Sequence, residues 1–231
     1  IIANLYGIVR ADTLLRKYRY AYIELARKNG KTQLITALAM YHLLFEEDSE
    51  VIVSANSREQ VKNTLYPKAS AYASILDPSK KQIKQLTNSL KFGTSKMLVT
   101  ASDASRLDGL NASFVIIDEL HEARSNKMYN VLKSSMGSRK QPLFISITTA
   151  GFDSESFCYQ HRSNIIDILE NEKVDESQFG IIYTLDEKDN IIQSPSNELI
   201  IKANPNFNVS VFESFLNDEI TKAKNSQTER N

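Results

Sequence analysis

The chain has 231 residues, 42% of them hydrophobic and 24% charged, with 28 basic side chains balanced by 28 acidic ones. These are the proportions of an ordinary globular chain. No run approaches the 18 apolar residues of a membrane span, and the single cysteine, Cys158, excludes an intrachain disulfide framework and suits a reducing compartment.

Residues 1–19 carry Arg10, Arg16, Lys17 and Arg19 around Leu14 and Leu15 and are expected to hold a short helix feeding the first strand. That strand runs from Tyr20 to Leu25. It is followed by Leu25-Ala26-Arg27-Lys28-Asn29-Gly30-Lys31-Thr32 and then by an apolar helix from Lys31 to about Phe45. Strand, tight loop, Gly-Lys-Thr and helix form the geometry of a phosphate cradle. Loop amides and the helix N-terminus, with its roughly +0.5 partial charge, converge on one anion. Lys31 would stand beside the β- and γ-phosphates of ATP and the Thr32 hydroxyl would ligate Mg²⁺. The full phosphate-loop pattern starts with Gly, whereas here that position is Leu25.

The helix is apolar on most sides (Leu34, Ile35, Leu38, Ala39, Tyr41, Leu43, Phe45), which argues for burial against a sheet. After the acidic turn 46–50 come a second buried strand, Val51 to Ala55, and a helix from Asn56 to about Leu76. Strand alternating with helix implies a parallel sheet with right-handed crossovers. Residues 78–96 hold Lys80, Lys81, Lys84, Lys91 and Lys96 with no acid, and Thr87-Asn88-Ser89 reads as a hairpin turn. These lysines fit either a solvated hairpin face or salt-dependent, sequence-independent contact with a DNA backbone.

Met97 to Ala101 is a further strand. Phe114-Val115-Ile116-Ile117 is a short apolar run ending in Asp118 and Glu119. Such a run reads as a strand buried on both faces, and acids at its end stand where open α/β sheets bind ligands. Asp118 would hold Mg²⁺ through water and Glu119 would deprotonate an attacking water. His121-Glu122 suggests a zinc-hydrolase helix, but no second His stands four residues after His121, so that spacing fails. Leu143 to Ile147 is the next buried strand. At its tip the hydroxyls of Thr148 and Thr149 are placed to hydrogen-bond a γ-phosphate or the attacking water. Beyond them the composition turns acidic. Residues 1–151 carry 21 Lys/Arg against 13 Asp/Glu, and the remainder 7 against 15, so an anionic partner is expected to meet the first part. Ser154 to Glu170 reads as a helix, Gly180 to Leu185 as a strand, Asn204-Pro205-Asn206 as a boundary, and Val211 to Lys224 as an amphipathic helix.

Three stretches taken in order resemble the ATPase region of large terminase subunits of tailed double-stranded DNA phages: Arg27-Lys28-Asn29-Gly30-Lys31-Thr32, Asp118-Glu119-Leu120-His121-Glu122 and Thr148-Thr149-Ala150-Gly151. Lys202-Ala203-Asn204-Pro205-Asn206 is similar to a stretch that follows that core. The resemblance implies an α/β, RecA-like P-loop NTPase core with a mostly parallel, helix-flanked sheet over residues 1–203. Residues 204–231 would form a helical segment leading toward an RNase H-like nuclease domain whose carboxylate cluster is not found in this sequence. It implies ATP and Mg²⁺ as cofactors and phosphate contacts from Arg27, Lys28, Asn29, Gly30, Lys31, Thr32, Thr148 and Thr149. It further implies Mg²⁺ at Thr32 and Asp118, catalysis by Lys31 and Glu119, and coupling through 148–151. Arg106, just before a Gly in its segment, matches an arginine finger acting on a neighbour's nucleotide. A surface Arg paired with Asp103 or Asp108 is the structural alternative, and Arg27 is a rival acting within its own chain. The implied partners are double-stranded DNA, further copies in a ring, the portal and the small terminase subunit, in the host cytoplasm and without a membrane. Another RecA-like motor, such as a helicase or repair ATPase, or a nucleotide-switched binding module is the alternative. Opening at Ile1 rather than Met, with no charged-then-apolar leader, the chain reads as a piece of a longer protein.

Overall fold

In a computed structural model, residues 1–226 are described apart from 56, 102–108, 124, 152 and 154. Among the described residues eight strands form one sheet, β1 (Tyr20–Glu24), β2 (Glu50–Ala55), β3 (Ile83–Gln85), β4 (Ser89–Phe92), β5 (Ser95–Ala101), β6 (Phe114–Asp118), β7 (Leu143–Thr148) and β8 (Gln178–Ile182). Their order is β3-β4-β5-β2-β6-β7-β1-β8. The six strands from β5 to β8 in that order pair in parallel, and β3 and β4 extend the sheet as an antiparallel hairpin.

The central strands β2, β6 and β7 are buried at every position, as expected where helices cover both faces of a parallel sheet. Alternation still sorts their side chains. Ile23, Val53, Ile116 and Ile145 enter the core on the face covered by α2 (Lys31–Phe45) and α4 (Tyr66–Leu76). Tyr22, Ile52, Val115 and Phe144 enter the core on the other, with Tyr129 and Leu132 of α5 (Lys127–Ser135) and Cys158 and Ile165 of α6 (Phe157–Leu169). The remaining helices are α1 (Ile2–Gly7), the single turn α3 (Arg58–Gln60), α7 (Asn197–Ala203) and α8 (Glu213–Asn225). Ser156 and Ser196 cap α6 and α7 by accepting from the amides of Tyr159 and Leu199.

The α/β architecture with a mostly parallel, helix-flanked sheet is as expected, and several elements differ locally. The single helix expected from Asn56 to Leu76 is interrupted by a π-helical turn, Val61–Leu65. Pro67, in the first turn of α4, has no N–H to give the preceding turn and its ring would crowd a carbonyl there. A wider turn relieves both. The strand expected at Gly180–Leu185 lies at Gln178–Ile182, because this half-exposed edge strand lacks the continuous apolar run that marks the others. Sequence patterning predicts neither α5 nor α7. Among the described residues no helix is long and apolar enough to cross a membrane.

Candidate active site

The loop after β1 and the tip of β6 meet at the carboxyl-terminal edge of the sheet, where β7 lies between the two strands. Lys31 opens α2 with its side chain buried. Its Nζ donates to the Leu25 carbonyl at 3.3 Å and stands 3.9 Å from Glu119 Oε1. Burial depresses the Lys31 ammonium below the ordinary lysine range, and the charges of Glu119 and Asp118 oppose that shift. Burial also pushes Asp118 up to about 7, with Glu119 adding to the rise and Lys31 opposing it. Ionisable groups perturbed in this way beside a cleft mark a candidate functional site.

Backbone shape aims these groups. Glu119 sits at φ 52°, ψ 54°, left-handed for a residue with a Cβ, and its N–H donates to Asp118 Oδ1 at 3.0 Å. The abrupt end of β6 turns Glu119 toward the cleft, a costly conformation of a kind that clusters at functional sites. In the loop, Lys28 (φ 63°) and Gly30 (φ 79°) are also left-handed.

A cavity of about 540 Å³ opens here. Arg27, Lys28, Gly30, Lys31 and Thr32 line it from the loop side, with Glu119, His121 and Glu122 opposite. Gln33 and Ser210 also line it, as do Gln60 and Lys68 from the helices around the π turn, and Gln60 Nε2 donates to Glu122 Oε2 at 3.3 Å. Basic side chains from Arg27, Lys28, Lys31 and Lys68, facing the carboxylates of Glu119 and Glu122, suit a polyphosphate carried with a divalent cation. Of the two oxygen donors that the sequence nominates for Mg²⁺, Thr32 lines the cavity and Asp118 is buried beside it.

Three residues that the sequence nominates for phosphate contact, Asn29, Thr148 and Thr149, lie off the cavity wall. The Asn29 side chain is buried and turned from the cavity, donating to the Arg27 carbonyl (3.2 Å) and to Asn204 Oδ1 (2.8 Å). Thr148 and Thr149 are buried behind His121 and do not line the cavity. Thr148 Oγ1 donates to the Thr149 carbonyl, accepts from the His121 amide at 3.1 Å, and lies 2.9 Å from His121 Nδ1. That same ring nitrogen is 3.4 Å from Glu119 Oε2. His121, which the sequence leaves without a zinc partner, thus joins the β7 tip to Glu119. Arg106 lies outside the described residues.

Residues 1–167 match the family model "Terminase large subunit, ATPase domain". The chain belongs to the terminase large-subunit ATPase family. The terminase fold extends past the matched residues: the large terminase of bacteriophage HK97 superposes with a TM-score of 0.79 over 91% of this chain and 44% of its own, at 20% identity. A large terminase from a thermophilic bacteriophage, solved with ATP-γ-S, gives 0.54 over 79% of this chain and 43% of its own, at 11% identity. Among curated proteins, YmfN of Escherichia coli K12 is 39% identical over 119 residues, 52% of this chain and 26% of YmfN. This terminase chain therefore spans about a quarter of that relative and under half of those terminases. The structural matches show a shared fold.

Proposed function

We propose that this chain is the ATP-hydrolysing part of a motor that drives double-stranded viral DNA into a procapsid. The observation that carries the reading is the 3.9 Å approach of Lys31 to Glu119 across a basic cavity, two groups brought together from loops nearly ninety residues apart. In this reading the amides of the Gly30 turn and the N-terminus of α2 receive the phosphates, and Lys31 stabilises charge on the β/γ oxygens. Thr32 and Asp118 hold Mg²⁺, which supplies further neutralisation of the phosphate charge. Glu119 takes a proton from water as the water oxygen bonds to Pγ and the bridging oxygen leaves with ADP. The thermophilic phage terminase, solved in complex with ATP-γ-S, supports this choice of nucleotide.

His121 conveys the state of Glu119 to Thr148 and Thr149, so these threonines act as coupling residues rather than phosphate ligands. Arg27, at the cavity mouth, or Arg106, from a neighbouring copy in a ring, supplies the transition-state guanidinium. The exposed Lys84, Lys91 and Lys96, directly opposite one another across β3, β4 and β5, form a row suited to DNA phosphates. Residues 1–203 would make up the ATPase domain and 204–231 the segment leading out of it. The ring would dock on the portal with a small terminase subunit, in the host cytoplasm.

Glu119→Gln tests the assignment. It should retain Mg-ATP binding while lowering kcat by roughly 10²–10⁴ in a phosphate-release assay on the assembled protein. Turnover near that of the parent would move the base elsewhere.

A further inference from the structure

The phosphate-binding loop is braced from outside by a segment far along the chain. Asn29 Oδ1 accepts the amide of Asn206 at 3.1 Å and Asn29 Nδ2 donates to Asn204 Oδ1 at 2.8 Å, across 175 residues of sequence. Asn206 Nδ2 donates to the Asn29 carbonyl at 3.0 Å, and Ser210 Oγ donates to the Lys28 carbonyl at 2.6 Å. All of these hydrogen bonds fall on Lys28 and Asn29, the two residues preceding Gly30.

The brace has its own framework. Asn204 Nδ2 donates to the Ile200 carbonyl of α7, Pro205 fixes the backbone beside it, and the Asn206 carbonyl accepts the amides of Val209 and Ser210. A carbonyl and an amide on a strained loop ordinarily face water. Here Asn29 is buried, and its side chain and carbonyl are held at a fixed distance from α7. The brace also gives Gly30 a second reason to lack a side chain. Besides its φ of 79°, a Cβ there would stand 2.9 Å from Asn206 Nδ2.

We propose that Asn204, Asn206 and Ser210 are positioning residues for nucleotide binding. They hold the loop from Lys28 to Gly30 in its left-handed, phosphate-accepting shape, so polyphosphate affinity is linked to the seating of the 204–210 strap. This inference rests on the nucleotide reading of the cavity. The shape matters because Lys28 has a Cβ and left-handed backbone is unfavourable for it. Its persistence therefore needs outside support, and the strap bonds to its carbonyl. Ser210 lies on the cavity wall, but Asn206 does not. Any effect it has on a bound phosphate must pass through the loop. By linkage, a ligand that favours the strapped loop also favours the seated strap to the same degree.

The experiment measures binding of ATP-γ-S with Mg²⁺, and of pyrophosphate alone, to the full chain by calorimetry, with amide hydrogen exchange at residues 28–31 in the absence of ligand. Asn206→Ala should weaken both ligands by about five- to tenfold, the scale of a lost hydrogen bond, and accelerate exchange in the loop. At saturating ATP, kcat should fall less than KM rises. Asn29→Ala and Asn204→Ala should be non-additive, their double variant losing little more affinity than the worse single one. Ser210→Ala, which also strips a hydroxyl from the cavity wall, should give a smaller loss in the same direction, and Asn204→Ala, off the wall, serves if Asn206→Ala does not fold. A lowered melting temperature with unchanged affinity and unchanged loop exchange would overturn the proposal, leaving the strap as packing alone. Failure of the parent chain to bind ATP-γ-S would instead remove the nucleotide reading beneath it.

Discussion

Buried charge lies at both edges of the parallel sheet, and the two edges treat it differently. At the amino-terminal edge, Arg16 donates to Glu46 at 3.1 Å and His42 Nδ1 lies 2.8 Å from the same carboxylate. Tyr6 Oη stands 2.8 Å from the other His42 nitrogen, and the imidazole stacks on Phe114 with ring centroids 3.8 Å apart. Burial pushes Glu46 up, but the hydrogen bond to His42 and the Arg16 charge outweigh it, so the carboxyl rests below its ordinary value. At the carboxyl-terminal edge, Lys31 and Glu119 stop 3.9 Å apart over an open cavity, and Asp118 is pushed up to about 7. One edge closes its charges upon each other within the protein. The other brings them to ion-pair distance on the wall of an open cavity, where a ligand can reach both. Burial of ionisable groups therefore marks both stability and function, and access from a cavity separates the two.

The sharpest way to break that contrast is Lys31→Ala. At the open edge it should cut kcat by roughly 10²–10³, as for loss of one preorganised donor, and weaken ATP binding, with little loss of melting temperature. A large fall in stability with activity per folded molecule unchanged would place Lys31 in the other class. Glu46→Ala should behave oppositely. It leaves the buried Arg16 guanidinium with the Gln141 carbonyl as acceptor and should cost about 1–3 kcal/mol of stability in denaturant titrations, leaving KM for ATP intact in the folded fraction. The smallest effect belongs to the surface lysines. Replacing Lys84 and Lys91 by Gln should lower the salt dependence of duplex binding by about one unit of slope for each phosphate left without its lysine, at unchanged basal hydrolysis. An unaltered slope would assign that row to ordinary solvation of an edge hairpin.

Sequence made the open edge legible and left the closed one hidden. A continuous apolar run ending in Asp118-Glu119, and a strand running into Gly30-Lys31-Thr32, announce their chemistry within a few residues, because strand and loop geometry are local. Arg16 and Glu46 are separated by 30 positions and neither belongs to a motif, so their ion pair had no local sign. Asn204 and Asn206 stand in a stretch that resembles the family's, but their bonds to the loop were hidden. Asparagines contribute nothing to hydrophobic periodicity, and their partner lies on the far side of the chain. Helix α5 was obscured because only Met128, Tyr129 and Leu132 of its nine residues turn inward. The π turn had a visible cause in Pro67, yet its effect, carrying Gln60 and Lys68 to the cavity wall, required the third dimension. His121 was readable as a residue and not as a role, since its partners Thr148 and Thr149 arrive on a different strand.

The place of β7 has one more consequence. It is hydrogen-bonded to β1 on one side and β6 on the other along nearly its whole length, so the strand that leads to the loop and the strand that ends in the acids are two ladder spacings apart, about 9.5 Å. That span is ruled by main-chain geometry, which side-chain replacement leaves alone. Mutations around the cleft can thus change its charge while its width stays calibrated, and only an insertion or bulge in β7 would reset the gauge.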